Sequence, residues 1–314
     1  MTSKLHKASA KLLALLGALV LCLGMLAGCG GVESTPELEG ETKGDPFVPP
    51  QQVQFSSFDQ SAATGANGAL IDVSSASEGY VGASATSGSR LKLQVTKGGQ
   101  SMNYDMPSDG TPVIVPLDMG NGTYTVAVMQ NTSGSRYVEL YSTTVKVTLE
   151  TEQAPYLVPN LYCDYDANSA VVAKARELTQ NAENDGDALR MIYAWIENNV
   201  TYDNAKAERL NGKSGYIPDP DETLQTQTGI CFDYASLAAA MLRSVGIPCQ
   251  IITGYVSPDG IYHAWNMVWI DGQWKTTSFS VNPHDWTRVD LTFAANGASD
   301  TIGDSSSYTQ RYVY

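Results

Sequence analysis

From residue 51 to about 154, apolar and polar positions alternate in short runs. The clearest are Leu91-Lys92-Leu93-Gln94-Val95, Val113-Ile114-Val115, Thr123-Tyr124-Thr125-Val126-Ala127-Val128 and Thr144-Val145-Lys146-Val147-Thr148-Leu149. A period of two sends alternate side chains to one face of a strand. Turn signals separate the runs at Lys97-Gly98-Gly99, Ser108-Asp109-Gly110, Gly120-Asn121-Gly122 and Ser133-Gly134-Ser135. Short strands with frequent turns predict an antiparallel, immunoglobulin-like β-sandwich over residues 51–154.

After Pro155 the period changes. Ala167 to Thr179 has helical spacing, and Asp185 to Asn199 carries Ala188, Met191, Ile192, Trp195 and Ile196 as the stripe of an amphipathic helix. A loop from Asn204 to Asp221 leads to a third helical stripe, Leu237, Ala238, Met241, Leu242 and Val245, ended by Gly246 and Pro248. Four extended segments follow: Gln250 to Val256, His263 to Ile270, Gln273 to Phe279 and Thr287 to Phe293. Asp271-Gly272 joins the second to the third as a hairpin signal. Residues 155–314 therefore read as an α+β domain in which the helix beginning near Cys231 packs on an antiparallel sheet.

The N-terminal 28 residues read differently from both regions. Lys4, Lys7 and Lys11 precede an apolar run from Leu12 to Leu26, the profile of a secretory signal. Leu26-Ala27-Gly28-Cys29 resembles the lipobox of bacterial lipoproteins, which implies lipidation of Cys29 and anchoring to the outer face of the membrane. Residues 29–50, rich in Gly, Glu, Thr and Pro, have too little apolar surface to offset ordering entropy and read as a flexible tether. The formal charge is −14, and three of the positive charges lie in the signal segment. So acidic a body argues against nucleic acid and against electrostatic docking on anionic lipid.

The candidate chemistry lies after residue 155, because residues 51–154 contain no His and no Cys and read as a spacer or recognition module. Of five cysteines, Cys22 leaves with the signal and Cys29 is assigned to lipid, which leaves Cys163, Cys231 and Cys249. The odd number leaves at least one thiol unpaired, and a Cys163–Cys249 disulfide stays open. Cys231 stands at a Gly-marked helix start, where the positive end of the dipole favours a thiolate. His6 leaves with the signal. His263 opens a strand in the same domain, and His284 lies in a loop. A thiol, an imidazole and a carboxylate that orients it form an apparatus for acyl transfer. No spacing matches a zinc site, an EF-hand or a phosphate loop, and no metal or cofactor is expected.

Gly229-Ile230-Cys231-Phe232-Asp233-Tyr234-Ala235, His263-Ala264-Trp265-Asn266 and Asp271-Gly272-Gln273-Trp274 occur in this order and resemble the transglutaminase-like cysteine enzymes, whose fold is papain-like. The resemblance runs from about residue 160 to 314. It implies that Cys231 is the nucleophile and His263 its acid and base. The family's third residue is usually the Asp of a Trp-x-x-x-Asp-x-Thr pattern. Counting from Trp274, that slot is Ser278; a second copy, Trp286 to Phe293, fits throughout and puts Asp290 in the slot. The resemblance thus favours Asp290, reaching His263 across an inserted segment, with Ser278 as the alternative and Asp285 a third candidate.

The Cys231 N–H is the natural oxyanion donor, and Gln225 is a second candidate. Trp265, Tyr202 and Tyr234 are candidate cleft residues. The implied substrate is a peptide or protein at the cell surface, in exported proteins or wall peptides, with water or an amine as acceptor. The alternative function is a non-catalytic binding module that keeps the fold.

Overall fold

The computed structural model describes residues 44–256, 261–278, 292–294 and 308–314. Two four-stranded antiparallel sheets come first. One has the order β1 (Thr64–Ala66), β2 (Ala69–Asp72), β3 (Tyr80–Ala85) and β6 (Val113–Pro116). The other has the order β5 (Gln100–Met106), β4 (Leu91–Lys97), β7 (Gly122–Ser133) and β8 (Arg136–Val147). Leu91, Leu93 and Val95 of β4 point inward, and they share one core with Ile71, Ala83, Val115, Val126 and Val128. The period-two pattern therefore marks the face that each sheet turns to the other.

The second half contains α1 (Ala170–Leu178), α2 (Asp185–Asn199), α3 (Asn204–Leu210), α4 (Pro220–Thr226) and α5 (Cys231–Ser244). Its sheet has the order β14 (Thr292–Ala294), β13 (Gln273–Ser278), β12 (Ile261–Ile270), β11 (Cys249–Val256) and β15 (Tyr308–Val313), antiparallel throughout. A two-residue parallel ladder, β9 (Thr201–Tyr202) with β10 (Thr228–Gly229), sits just before α5. The hairpin at Asp271-Gly272 has both residues at positive φ, 56° and 69°, as a tight two-residue turn requires.

Helix α5 is the spine of this half, with every residue from Asp233 to Ser244 buried. It ends in a Schellman motif: the Ile247 N–H donates to Leu242 O and the Gly246 N–H to Arg243 O, with Gly246 at φ 89°. Alanines 235, 238, 239 and 240 keep it slim enough to lie against β12. Buried Arg243 donates to the carbonyls of Val158, Cys249 and Tyr314, which ties the helix to three segments.

Three expectations change. The loop from Asn204 to Asp221 holds α3 and the start of α4, whose first turns are capped by the Asp203 and Asp219 carboxylates. Residues 44–50 are bound rather than loose: Phe47 N–H donates to Glu183 O, and Phe47 and Val53 pack on the core of the second half. The sheet has an added edge strand, β15, paired to β11.

The two halves meet through aromatic rings. Tyr162 and Tyr314 pack against both cores. Buried Tyr104 of β5 lies 6.1 Å from the ring of Tyr162 and 6.2 Å from that of Tyr314, and Tyr162 lies 5.5 Å from Phe232, the residue after Cys231. The sandwich is thus packed directly beneath the start of α5.

Candidate functional site

Cys231 is the first residue of α5 and half-buried. Its sulfur lies against β12, where the backbone N–H of Ala264 points at it, and Ala264 is the residue after His263. The fold therefore brings the predicted nucleophile to the strand position next to the predicted base.

Cys231 and His263 are shifted by the same cause in opposite directions. Burial strips water from the charged form. It pushes the Cys231 thiol up to about 11, against the pull of backbone N–H groups of Ala264, Phe232 and Cys231 itself; the nearby Asp233 carboxylate adds to the rise. Burial alone brings His263 down to about 4. At neutral pH the resting pair is a thiol and a neutral imidazole. Burial thus outweighs the helix N-terminus, which is expected to favour a thiolate, and Asp233, which accepts from the Ile230 N–H at 2.8 Å, occupies part of that N-terminus.

Buried Asn266, three residues along β12, locks the site from below. Its amide donates to Ala235 O of α5 at 3.0 Å and to Gln250 O of β11 at 3.1 Å, and its carbonyl accepts from Tyr193 of α2 at 3.0 Å. The Tyr193 hydroxyl also meets Thr277 of β13. One satisfied polar network thus fixes the helix of Cys231 against the strand of His263.

The remaining sequence candidates fall in different places. Trp265 is buried, and its ring lies over Gly254, the residue paired with His263. Gly254 has to be glycine, since a Cβ there would stand 2.1 Å from Thr309 O and 3.0 Å from the Trp265 ring. Tyr234 is buried with its hydroxyl committed to Val200 O at 2.6 Å, so it pins α5 to the segment entering β9 and does not face a cleft. Gln225 is exposed on α4. Tyr202 lies alongside the first turn of α5, paired with Gly229 and packed 6.4 Å from the Tyr234 ring; burial first, then the charges of Cys231 and Asp233, push its hydroxyl up to about 12.

Asn266 pairs with Thr277, and Ser278, the last residue of β13, pairs with Thr292 of β14. Asp290, Asp285 and His284 lie outside the described residues. Cys163 and Cys249 are free, buried thiols, both pushed up by burial. Among the described residues no cluster of three or more His, Cys, Asp or Glu could hold a metal ion. An open cavity of about 430 Å³ between Phe47–Gln51 and Arg176–Ala182 shares no residue with this site.

Sequence reasoning gave no role to Asp233, Lys206 or Tyr216, which surround the start of α5. The signal for Asp233 was present: an acid at the third helical position caps the preceding backbone. Lys206 and Tyr216 are distant in sequence and carry no such signal.

Residues 172–290 match the model of the transglutaminase-like superfamily. This span includes Cys231 and His263 and ends on Asp290. Kyphoscoliosis peptidase of Homo sapiens is 31% identical over 118 residues, 34% of this chain and 17% of that protein. Its Mus musculus counterpart is 32% identical over 132 residues, 38% of this chain and 20% of that protein. The chain thus spans about a fifth of the length of these relatives. A solved TGase structure aligns at a TM-score of 0.30 with 21% identity, covering 37% of this chain and 32% of its own.

Proposed function

We propose that the transglutaminase-like domain carried by this chain is a cysteine enzyme acting on peptide amide bonds, held at the bacterial cell surface by a lipid on Cys29. The observation that carries the chemistry is the meeting of Cys231, at the head of α5, with β12 at the residue after His263.

Because thiol and imidazole both rest neutral, proton transfer accompanies attack rather than preceding it. The Cys231 Sγ bonds to the amide carbon while its proton passes to His263. The oxyanion that forms accepts from the Cys231 N–H, a donor of the first helical turn. His263 then gives the proton to the departing nitrogen as the C–N bond breaks, leaving a thioester. Water or an amine attacks the thioester, its proton returns through His263, and the thiol is regenerated.

Asp290 is the carboxylate assigned to orient His263, supported by its fit to the Trp-x-x-x-Asp-x-Thr pattern and by the family match ending on it. The serine that stands at position 278, in the slot counted from Trp274, favours the second reading, a binding module that keeps the fold without turnover. Incubation with a panel of glutamine-containing and wall-type peptides, followed by mass spectrometry, separates the two. A thioester adduct on Cys231 that hydroxylamine releases as the peptide hydroxamate, missing from Asp290→Asn but present in Ser278→Ala, supports the enzyme. No adduct and no product with any peptide, in a protein that binds them, supports the module.

A further inference from the structure

Three segments converge on one carboxylate at the head of the nucleophile's helix. Asp233 has no solvent exposure. One of its oxygens accepts from the Ile230 N–H at 2.8 Å and pairs with the Lys206 ammonium of α3 at 2.8 Å; the other accepts from the Tyr216 hydroxyl. Lys206 is itself largely buried and lies 4.8 Å from the centre of the Tyr216 ring. Space for the carboxylate depends on Gly229, where a Cβ would stand 2.6 Å from the Asp233 Cβ.

This arrangement costs the enzyme something at first sight. Asp233 follows Cys231 by two residues, and a negative charge so close opposes thiolate formation. A cap alone needs no cation, since Asp203 and Asp219 cap α3 and α4 through backbone N–H groups. Only the cap beside the thiol is given a buried ammonium. Tyr202 of β9 interacts electrostatically with Cys231, and His263 precedes Ala264, whose N–H points at the sulfur; both are uncharged at neutral pH. Asp219 and Glu222 bear on the far side, at Tyr216. Asp233 and Lys206 are therefore the charges that set the local potential among the described residues.

We propose that Lys206 is a positioning residue for acyl transfer, whose ammonium neutralises the Asp233 cap and so keeps that carboxylate from suppressing the Cys231 thiolate. The inference rests on Cys231 being the nucleophile, and its readout is the thiol itself rather than turnover.

The test is the pH midpoint of iodoacetamide alkylation of Cys231 in the full-length native protein, read by peptide mapping. Lys206→Met is expected to raise the midpoint by about one unit, a loss of about tenfold in labelling rate below it. Lys206→Arg is expected to stay near wild type. Asp233→Asn, which leaves the ammonium unopposed, is expected to lower the midpoint, and Asp233→Asn with Lys206→Met to return it towards wild type. A purely structural clamp would move the urea midpoint and leave the alkylation midpoint in place. An unchanged alkylation midpoint in folded Lys206→Met overturns the proposal, as does an unchanged midpoint in Asp233→Asn should Lys206→Met not fold. Failure of the nucleophile assignment looks different: Cys231 in wild type would then label no faster than Cys163 or Cys249.

Discussion

The interiors of the two halves differ in kind. Between β1 and β8 the buried side chains are almost all apolar; Asp72 is the buried acid there, and it accepts from Asp59 N–H and Ser74. In the second half Asp233, Asn266, Arg243, Lys275, Thr277 and Ser236 are buried among the aliphatic residues. An apolar core contributes stability through burial and tolerates repacking, whereas a buried polar network is useful only when every member is satisfied. The sandwich is therefore a stability element. The second half gives up some stability to hold Cys231 and β12 in one geometry.

Four tests break or sharpen this contrast. The largest effect is expected from Cys231→Ala, which abolishes thioester formation and any amidase or cross-linking activity while the far-UV and near-UV circular dichroism stay those of wild type. Loss of the fold along with activity would mean that the cysteine serves the core.

Next comes a pair of core changes. Leu93→Ala in β4 is expected to cost about 2–5 kcal/mol in urea unfolding, with kcat of the folded protein within about twofold of wild type. Asn266→Leu leaves the Tyr193 hydroxyl and two carbonyls short of a partner, costing about 2 kcal/mol, yet kcat should fall by more than about tenfold. If the two variants lose activity in proportion to stability, the halves do not divide the work in this way.

A third effect concerns pH. His263 is brought down to about 4 in the folded chain from an ordinary value of 6.5, so the unfolded state binds more protons between those values. Stability from this group is fully present above about pH 6.5 and is lost as pH falls towards 4, by up to about 3 kcal/mol. Urea titrations at pH 7 and pH 4.5 should show that His263→Phe loses less stability over this range than wild type. An equal loss in both would place the acid sensitivity elsewhere. The smallest effect is expected from Asn184→Ala. It removes the side chain that accepts from Asp187 N–H at the start of α2 and should lower stability by about 1 kcal/mol without touching kcat.

The elements that follow a period are legible in the amino-acid sequence. Strands β4, β7, β11 and β12 and helices α2 and α5 sit close to where alternation and helical spacing predict them, since burial on one face is what both patterns record. Helices α3 and α4 escape because each has only seven residues and their signals, Asp203 and Asp219, read equally well as turn residues. Strand β15 carries no turn pair to a neighbour in sequence; its partner β11 is about 50 residues away. For the candidate site, motif and scarcity single out Cys231 and His263, and the fold sets Cys231 against the residue after His263. The electrostatics are not legible in this way. A helix start promises a lowered thiol pKa, but burial, which depends on segments folded in from elsewhere in the chain, raises it, and the nearby Asp233 carboxylate adds to the rise.

Central to the proposed mechanism is a distinctly reactive Cys231 thiol on the helix packed against the strand of His263. Limited alkylation of the native protein with iodoacetamide at pH 8, quantified for each cysteine by mass spectrometry, tests it most directly. Cys231 should label well ahead of Cys163 and Cys249, and His263→Ala should slow that labelling while the two buried thiols react only after unfolding. Labelling of Cys231 at the rate of the other two, or at a rate indifferent to His263, would contradict this mechanism.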